Sequence, residues 1–347
     1  MSDKTTRKRG GGGLLVPHLE QGWEFLEQGD LAGAKAAAEA ALALDSTSPD
    51  ARVLLGSLAV MEGDPEEALE LMQQAMELDQ EYLRPVLAAA EICIHQLGDL
   101  DLGFDLCDEA VDLADGDPDE LLEVLLLRVE GLLVGGEQEE AEALGQALLE
   151  VPLQEPPRSL RMGRALLELG ALEQATTHLE HAASLETLEA DASYFLGLLA
   201  DRTGDVALAV QRFMRVLELD HQDPSPPWTV TTMAVERALE QAMELVDPEV
   251  ADLFLALPRV TSKLPPQELV CDGLDPRAPL FVAMRMPLEA EVAPSGPAAP
   301  SGPRPTRIFL YKRNLERACL GEEEMAEELA FVLEEEAEAM AGALEDI

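Results

Sequence analysis

Residues 53–79 read VLLGSLAVMEGDPEEALELMQQAMELD, and the spacing of small residues within them decides the fold. Gly63 marks a tight turn that ends one helix and opens the next. Gly56, seven residues before the turn, and Ala68, five after it, are small enough to let two helix axes approach closely. Ala75 follows twelve residues after the turn, and Asp79 closes the second helix. The turn pair recurs as Gly29/Ala34, Gly98/Gly103, Gly136/Ala141, Gly170/Ala175 and Gly204/Ala209, at intervals of 34, 35, 38, 34 and 34 residues. Gly22, Gly163 and Gly197 repeat the earlier small position, and Ala41, Ala110, Leu148, Ala182 and Val216 the later one. Asp45 and Asp220 repeat the closing LALD or LELD ending. One such hairpin leaves apolar faces that only a neighbour covers, so the repeats must stack.

This register resembles the tetratricopeptide repeat over residues 14–222, which implies about six helical hairpins in a solenoid and a groove that holds peptides. The register places Trp23, Val53, Ile92, His95, Leu126, Arg164, Tyr194 and Arg202 on that groove. Aromatic and arginine side chains are common interface anchors. The same residues could instead cover the inner surface or contact the C-terminal domain. The Lys/Asn clamp with which some relatives hold a terminal carboxylate is missing, since those slots hold residues such as Leu19, Trp23 and Ser57. The third and fourth repeats depart from the pattern. Glu91 stands where a small residue belongs, Gly103 replaces alanine, and the fourth is lengthened and breaks at Pro152 and Pro156-Pro157. Irregular geometry is expected there.

Composition agrees with a mainly α protein, because aromatics are only 4% of the chain and Ala, Leu and Glu do the packing. The 24 basic and 69 acidic residues give a net charge of −45, which argues against nucleic acid and anionic membranes as partners. No apolar run is long enough to cross a membrane. Residues 1–13 read as a disordered basic and glycine-rich tail, since Leu14-Leu15-Val16 is too short for a signal sequence. Cys93, Cys107, Cys271 and Cys319 lack CxxC spacing and are expected to be buried, reduced thiols in a cytoplasmic protein. His178 and His181, three apart on one helix, suit an exposed helix surface better than a metal site.

Residues 223–228 form a proline hinge, and 229–347 a small α+β domain. A helix is expected over 229–245, with Val235, Leu239 and Met243 on one stripe, and another over 322–344 carrying Met325, Leu329, Val332 and Met340. Strands are expected at 268–271, 280–286 and 306–311, with a disordered loop at 289–305. The segments PLFVAMRMPL, TRIFLYKRNLERAC and EEEMAEELAFVLEEEAEAMAG resemble, in order, those of the minimal zincin, a metallopeptidase-like domain. That family places HExxH on its last helix. Aligned on Val332-Leu333, the motif positions here are Glu334, Glu335 and Glu338, so Glu335 matches the general base while both histidines are replaced. No histidine follows His221. The resemblance therefore implies a domain that has lost its zinc ligands, with no catalytic residues, no cofactor and no resident metal. Loose Mg²⁺ or Ca²⁺ binding stays open.

The expectation is a non-catalytic scaffold whose partner is another protein or a peptide. A divergent metallopeptidase and an acidic chaperone or assembly factor for a basic client are the alternatives.

Overall fold

The computed structural model describes residues 15–222, 229–285, 304–319 and 321–345. The expected tail (1–13), the proline hinge (223–228) and most of the 289–305 loop lie outside them. The chain divides into two compact units, Met1–Leu188 and Glu189–Ile347. The division falls between the fifth and sixth hairpins, whereas the sequence reading drew its boundary at the proline segment.

The first unit contains five hairpins. They are α1 (Leu15–Glu27) with α2 (Leu31–Leu44), α3 (Pro49–Glu62) with α4 (Pro65–Leu78), and α5 (Leu83–Ile92) with α6 (Leu100–Leu113). The fourth and fifth are α7 (Pro118–Val134) with α8 (Gln138–Gly145), and α9 (Pro156–Glu168) with α10 (Leu172–Ala182). At the second turn Gly63 adopts φ 79° and ψ 29°, a left-handed conformation open to glycine at little cost. The aspartate that follows then caps the second helix, with Asp64 Oδ1 accepting from the Glu67 N–H at 2.9 Å. Asp30 and Asp99 do the same in the first and third hairpins. Ala34, Ala68, Ala141 and Ala175 are wholly buried at the crossings, as are Ala41, Ala75, Ala110, Leu148 and Ala182 one face further on. A Cβ on Gly56 would lie 2.8 Å from Met72 Cε, so the glycine sets the close approach.

The third and fourth hairpins are irregular, and the irregularity has local causes. After α5 the chain widens into a π turn, Cys93–Leu97, beside Gly103, where a Cβ would lie 2.6 Å from Ile94 Cγ1. In the fourth hairpin Glu137 makes no side-chain cap, and α8 gives way to a 3-10 turn, Gln146–Glu150.

The second unit opens with a sixth hairpin, α11 (Glu189–Arg202) and α12 (Val206–Gln222), capped by Asp205 Oδ1, which accepts from the Leu208 N–H at 3.1 Å. Then follow α13 (Thr232–Leu245), α14 (Pro248–Phe254), β1 (Arg259–Ser262), α15 (Gln267–Cys271), β2 (Leu280–Arg285), β3 (Arg304–Tyr311), α16 (Lys312–Ala318) and α17 (Met325–Glu345). The sheet order is β1-β3-β2, with β1 parallel and β2 antiparallel to β3. Val235, Leu239 and Met243 of α13 share a core with Met325, Leu329 and Leu333 of α17 and with Leu280, Val282, Ile308 and Leu310 of the sheet.

Three expectations need correction. Residues 268–271 form helix, not strand, because Pro265-Pro266 opens a helical turn whose Val270 packs with Phe213 and Leu217. Arg304 and Pro305 belong to β3 rather than to a loop. Pro305 is tolerated opposite Met284, where the β2–β3 register shifts. Asp220 does not end its helix, which runs on to Gln222.

Candidate protein-interaction surface

The first helices of successive hairpins lie side by side, and a ladder of charges ties three of them. Glu123 and Glu130 are two turns apart on α7, so both face α9, where Arg158 and Arg161 are three apart. Arg158 Nε donates to Glu123 at 2.5 Å. Arg161 donates to Glu123 at 2.8 Å and to both oxygens of Glu130, at 3.2 and 2.8 Å. His95 Nε2, in the π turn after α5, lies 3.1 Å from Glu130 Oε2, the oxygen that Arg161 Nη2 also reaches. Burial alone would raise the Glu130 pKa, but hydrogen bonds to His95 and Arg161 outweigh it and hold the carboxyl below its ordinary range. At the other end Trp23 of α1 is half-buried, with the Arg84 guanidinium 4.1 Å from its ring centroid.

The expected groove residues separate on this geometry. Val53, Ile92 and Leu126 are 2% exposed or less, packed between helices, and offer no surface to a ligand. A one-residue rotation on a helix distinguishes groove from core, and spacing alone did not resolve it. Trp23 and His95 reach the surface, where each is already in contact with a charged neighbour. Arg164 is exposed on α9. Tyr194 and Arg202 belong to the second unit, where Arg202 is exposed. Tyr194 instead donates to Asp275 at 2.9 Å beneath the Arg277 guanidinium, so it packs against the C-terminal part.

Residues the sequence reading missed organise the second unit. Asp220, 1% exposed, receives two hydrogen bonds of 2.6 Å from Arg317, and Arg277 lies 3.7 Å away while pairing with Asp191 at 2.7 Å. The YKRNLER segment that resembled the zincin is a structural hub. Asn314 donates to the Pro276 and Ala278 carbonyls at 2.9 and 2.8 Å. Glu316 accepts from the Val230 N–H at 3.0 Å. The signal available in sequence was a cluster of polar residues, RNLER, between apolar flanks.

Glu334, Glu335 and Glu338 are exposed on α17. Among the described residues no group of three or more His, Cys, Asp or Glu is placed to hold a metal ion. Glu336 is pushed above the usual carboxylate range by burial and by Glu335, and Glu328 likewise. His178 is buried rather than exposed. Burial lowers its pKa against a hydrogen bond to the Val151 carbonyl. Cys93, Cys107 and Cys319 are buried, with thiol pKa values raised by burial to about 11, 11 and 12, whereas Cys271 is exposed, its sulfur 3.7 Å from that of Met214. No helix among the described residues is long and apolar enough to cross a membrane.

No curated protein sequence matches the chain. Among solved structures, the Cut9–Hcn1 hetero-tetramer of the APC/C contains a chain similar over 60% of this protein and 41% of its own length, at 19% identity and a TM-score of 0.51. The pilF protein of Pseudomonas aeruginosa is similar over 61% of this chain and 94% of its own, at 18% identity and a TM-score of 0.47. At 19% identity the likeness to the Cut9–Hcn1 chain is one of fold. Residues 19–82 and 160–224 match the tetratricopeptide repeat family, and the same hairpin plan fills the interval between them. Those two segments therefore carry tetratricopeptide repeats.

Proposed function

We propose that the protein is a non-catalytic scaffold that holds a protein or peptide segment against the first helices of its hairpins. Tetratricopeptide-repeat proteins generally mediate protein–protein interaction. The observation that supports such a site in this chain is a surface ordered in advance. Trp23 under Arg84, and His95, Glu130 and Arg161 in one ladder, hold an aromatic, cations and carboxylates in fixed positions. Side chains already fixed lose less entropy when a partner arrives. The test uses the full chain and an Arg84→Glu/His95→Ala variant as baits. A partner recovered by the first, and lost from the second at unchanged melting temperature, supports the reading. Equal recovery refutes it.

On the same reading the C-terminal part is a minimal zincin-like domain without its zinc ligands. Glu334 and Glu338 occupy the imidazole positions, and no histidine follows His221. Without zinc, Glu335 has no acidified water to deprotonate. Stoichiometric zinc in the purified protein, together with peptide hydrolysis abolished by Glu335→Gln, would show instead an active metallopeptidase.

A further inference from the structure

α8 is 8 residues long, shorter than the second helix of every other hairpin. Between α6, α7 and α8 runs a cleft of about 720 Å³, walled by Phe104, Val111, Leu125, Leu132 and Leu144. Val111 is 42% exposed, although its neighbours in the cleft are apolar. Glu140 of α8 lines the cleft, and the helices that form it carry further exposed acidic residues, Asp101, Asp105, Asp108 and Asp112 on α6 and Glu139 on α8. Arg128, the basic residue of the lining, is engaged by Asp108. The surroundings reinforce this, since residues 15–188 contain 7 Lys and Arg against 38 Asp and Glu. An apolar cleft of this size is in the range of binding sites, and the acidic helices around it repel acidic and attract basic sequences.

We propose that this cleft docks a Lys/Arg-rich amphipathic helix from a partner protein, whose apolar face enters between α6, α7 and α8 while its basic residues pair with the aspartates of α6. The mode is an amphipathic helix in a groove. It lies away from the Trp23–Glu130 surface, so either site can fail without the other.

The test titrates the full chain into a fluorescein-labelled amphipathic peptide of Leu and Lys, followed by anisotropy, beside the same peptide with Glu for Lys. The Leu/Lys peptide is expected to bind, and more weakly as salt rises. Its affinity should fall by about tenfold or more, some 1.4 kcal/mol, in Val111→Arg and in Glu140→Lys. Both residues are exposed, so the fold should tolerate the changes. Arg84→Glu should bind as the wild type does. Equal binding to the variants, equal binding of the Glu peptide, or no binding at all overturns the proposal. Binding that appears only when residues 1–13 are removed also overturns it, since the chain's own basic segment is then the occupant. A dimer broken by Val111→Arg would assign the cleft to a second copy instead.

Discussion

Replacing Asp220 by Asn should destabilise the second unit by about 2–3 kcal/mol. Removing one member of a buried ion pair costs about 3–5 kcal/mol, because the other charge is left desolvated. Asp220 is 1% exposed and takes both Arg317 hydrogen bonds at 2.6 Å, which places it in that class. Two features reduce the figure. The Arg317 side chain is 25% exposed and can regain water, and Arg277 keeps Asp191 at 2.7 Å. For a unit of this size about 2–3 kcal/mol lowers the melting temperature by about 5–10 °C. Calorimetry of the full chain should show a shift in the transition of the second unit, with hydrogen exchange of α16 identifying it. A double-mutant cycle with Arg317→Met separates the pair from its surroundings, and a coupling of about 1.5 kcal/mol or more is expected. Additive single effects, or a loss from Asp220→Asn below about 0.5 kcal/mol, would refute the claim that this contact fastens the sixth hairpin to the C-terminal part.

Gly197→Ala should cost about 1–3 kcal/mol by overpacking, because its Cβ would lie 2.4 Å from Phe213 Cε1, and urea unfolding reads the loss. The lowered Glu130 pKa means that its contribution to stability is complete above the ordinary value of 4.5 and is lost as pH falls through the lower folded value. Melting curves across that acid range should therefore be flatter in Glu130→Gln than in the wild type. Glu336 has the opposite sign. Its raised pKa means that the charged form opposes folding above the folded value, so Glu336→Gln should raise the melting temperature at pH 7 and have little effect in acid.

The repeat was legible because each hairpin is a local object. A left-handed turn needs glycine at one position, and a close crossing needs a small side chain at another. Both requirements are written at fixed offsets that recur along the chain. The disturbance in the third and fourth hairpins was legible for the same reason, as Glu91 and Gly103 break the offsets where the π turn forms. Residues 268–271 were misread because Leu269, Val270 and Cys271 after Glu268 satisfy a strand and a helical turn equally, and the preceding prolines together with packing against α12 choose the helix. The strand at Arg259–Ser262 had no detectable pattern, since it exists by pairing with β3 some fifty residues later.

By itself, the sequence determined the helical hairpins, their register and number, and the apolar stripes of α13 and α17, all set by neighbours within a few turns of chain. The tertiary structure alone decided which residues share a site. Asp220 meets Arg317 across 97 positions, and Arg161 meets Glu130 across 31. An ion pair depends on which faces of two helices meet. That is fixed only when whole elements pack, and it leaves no period in the sequence.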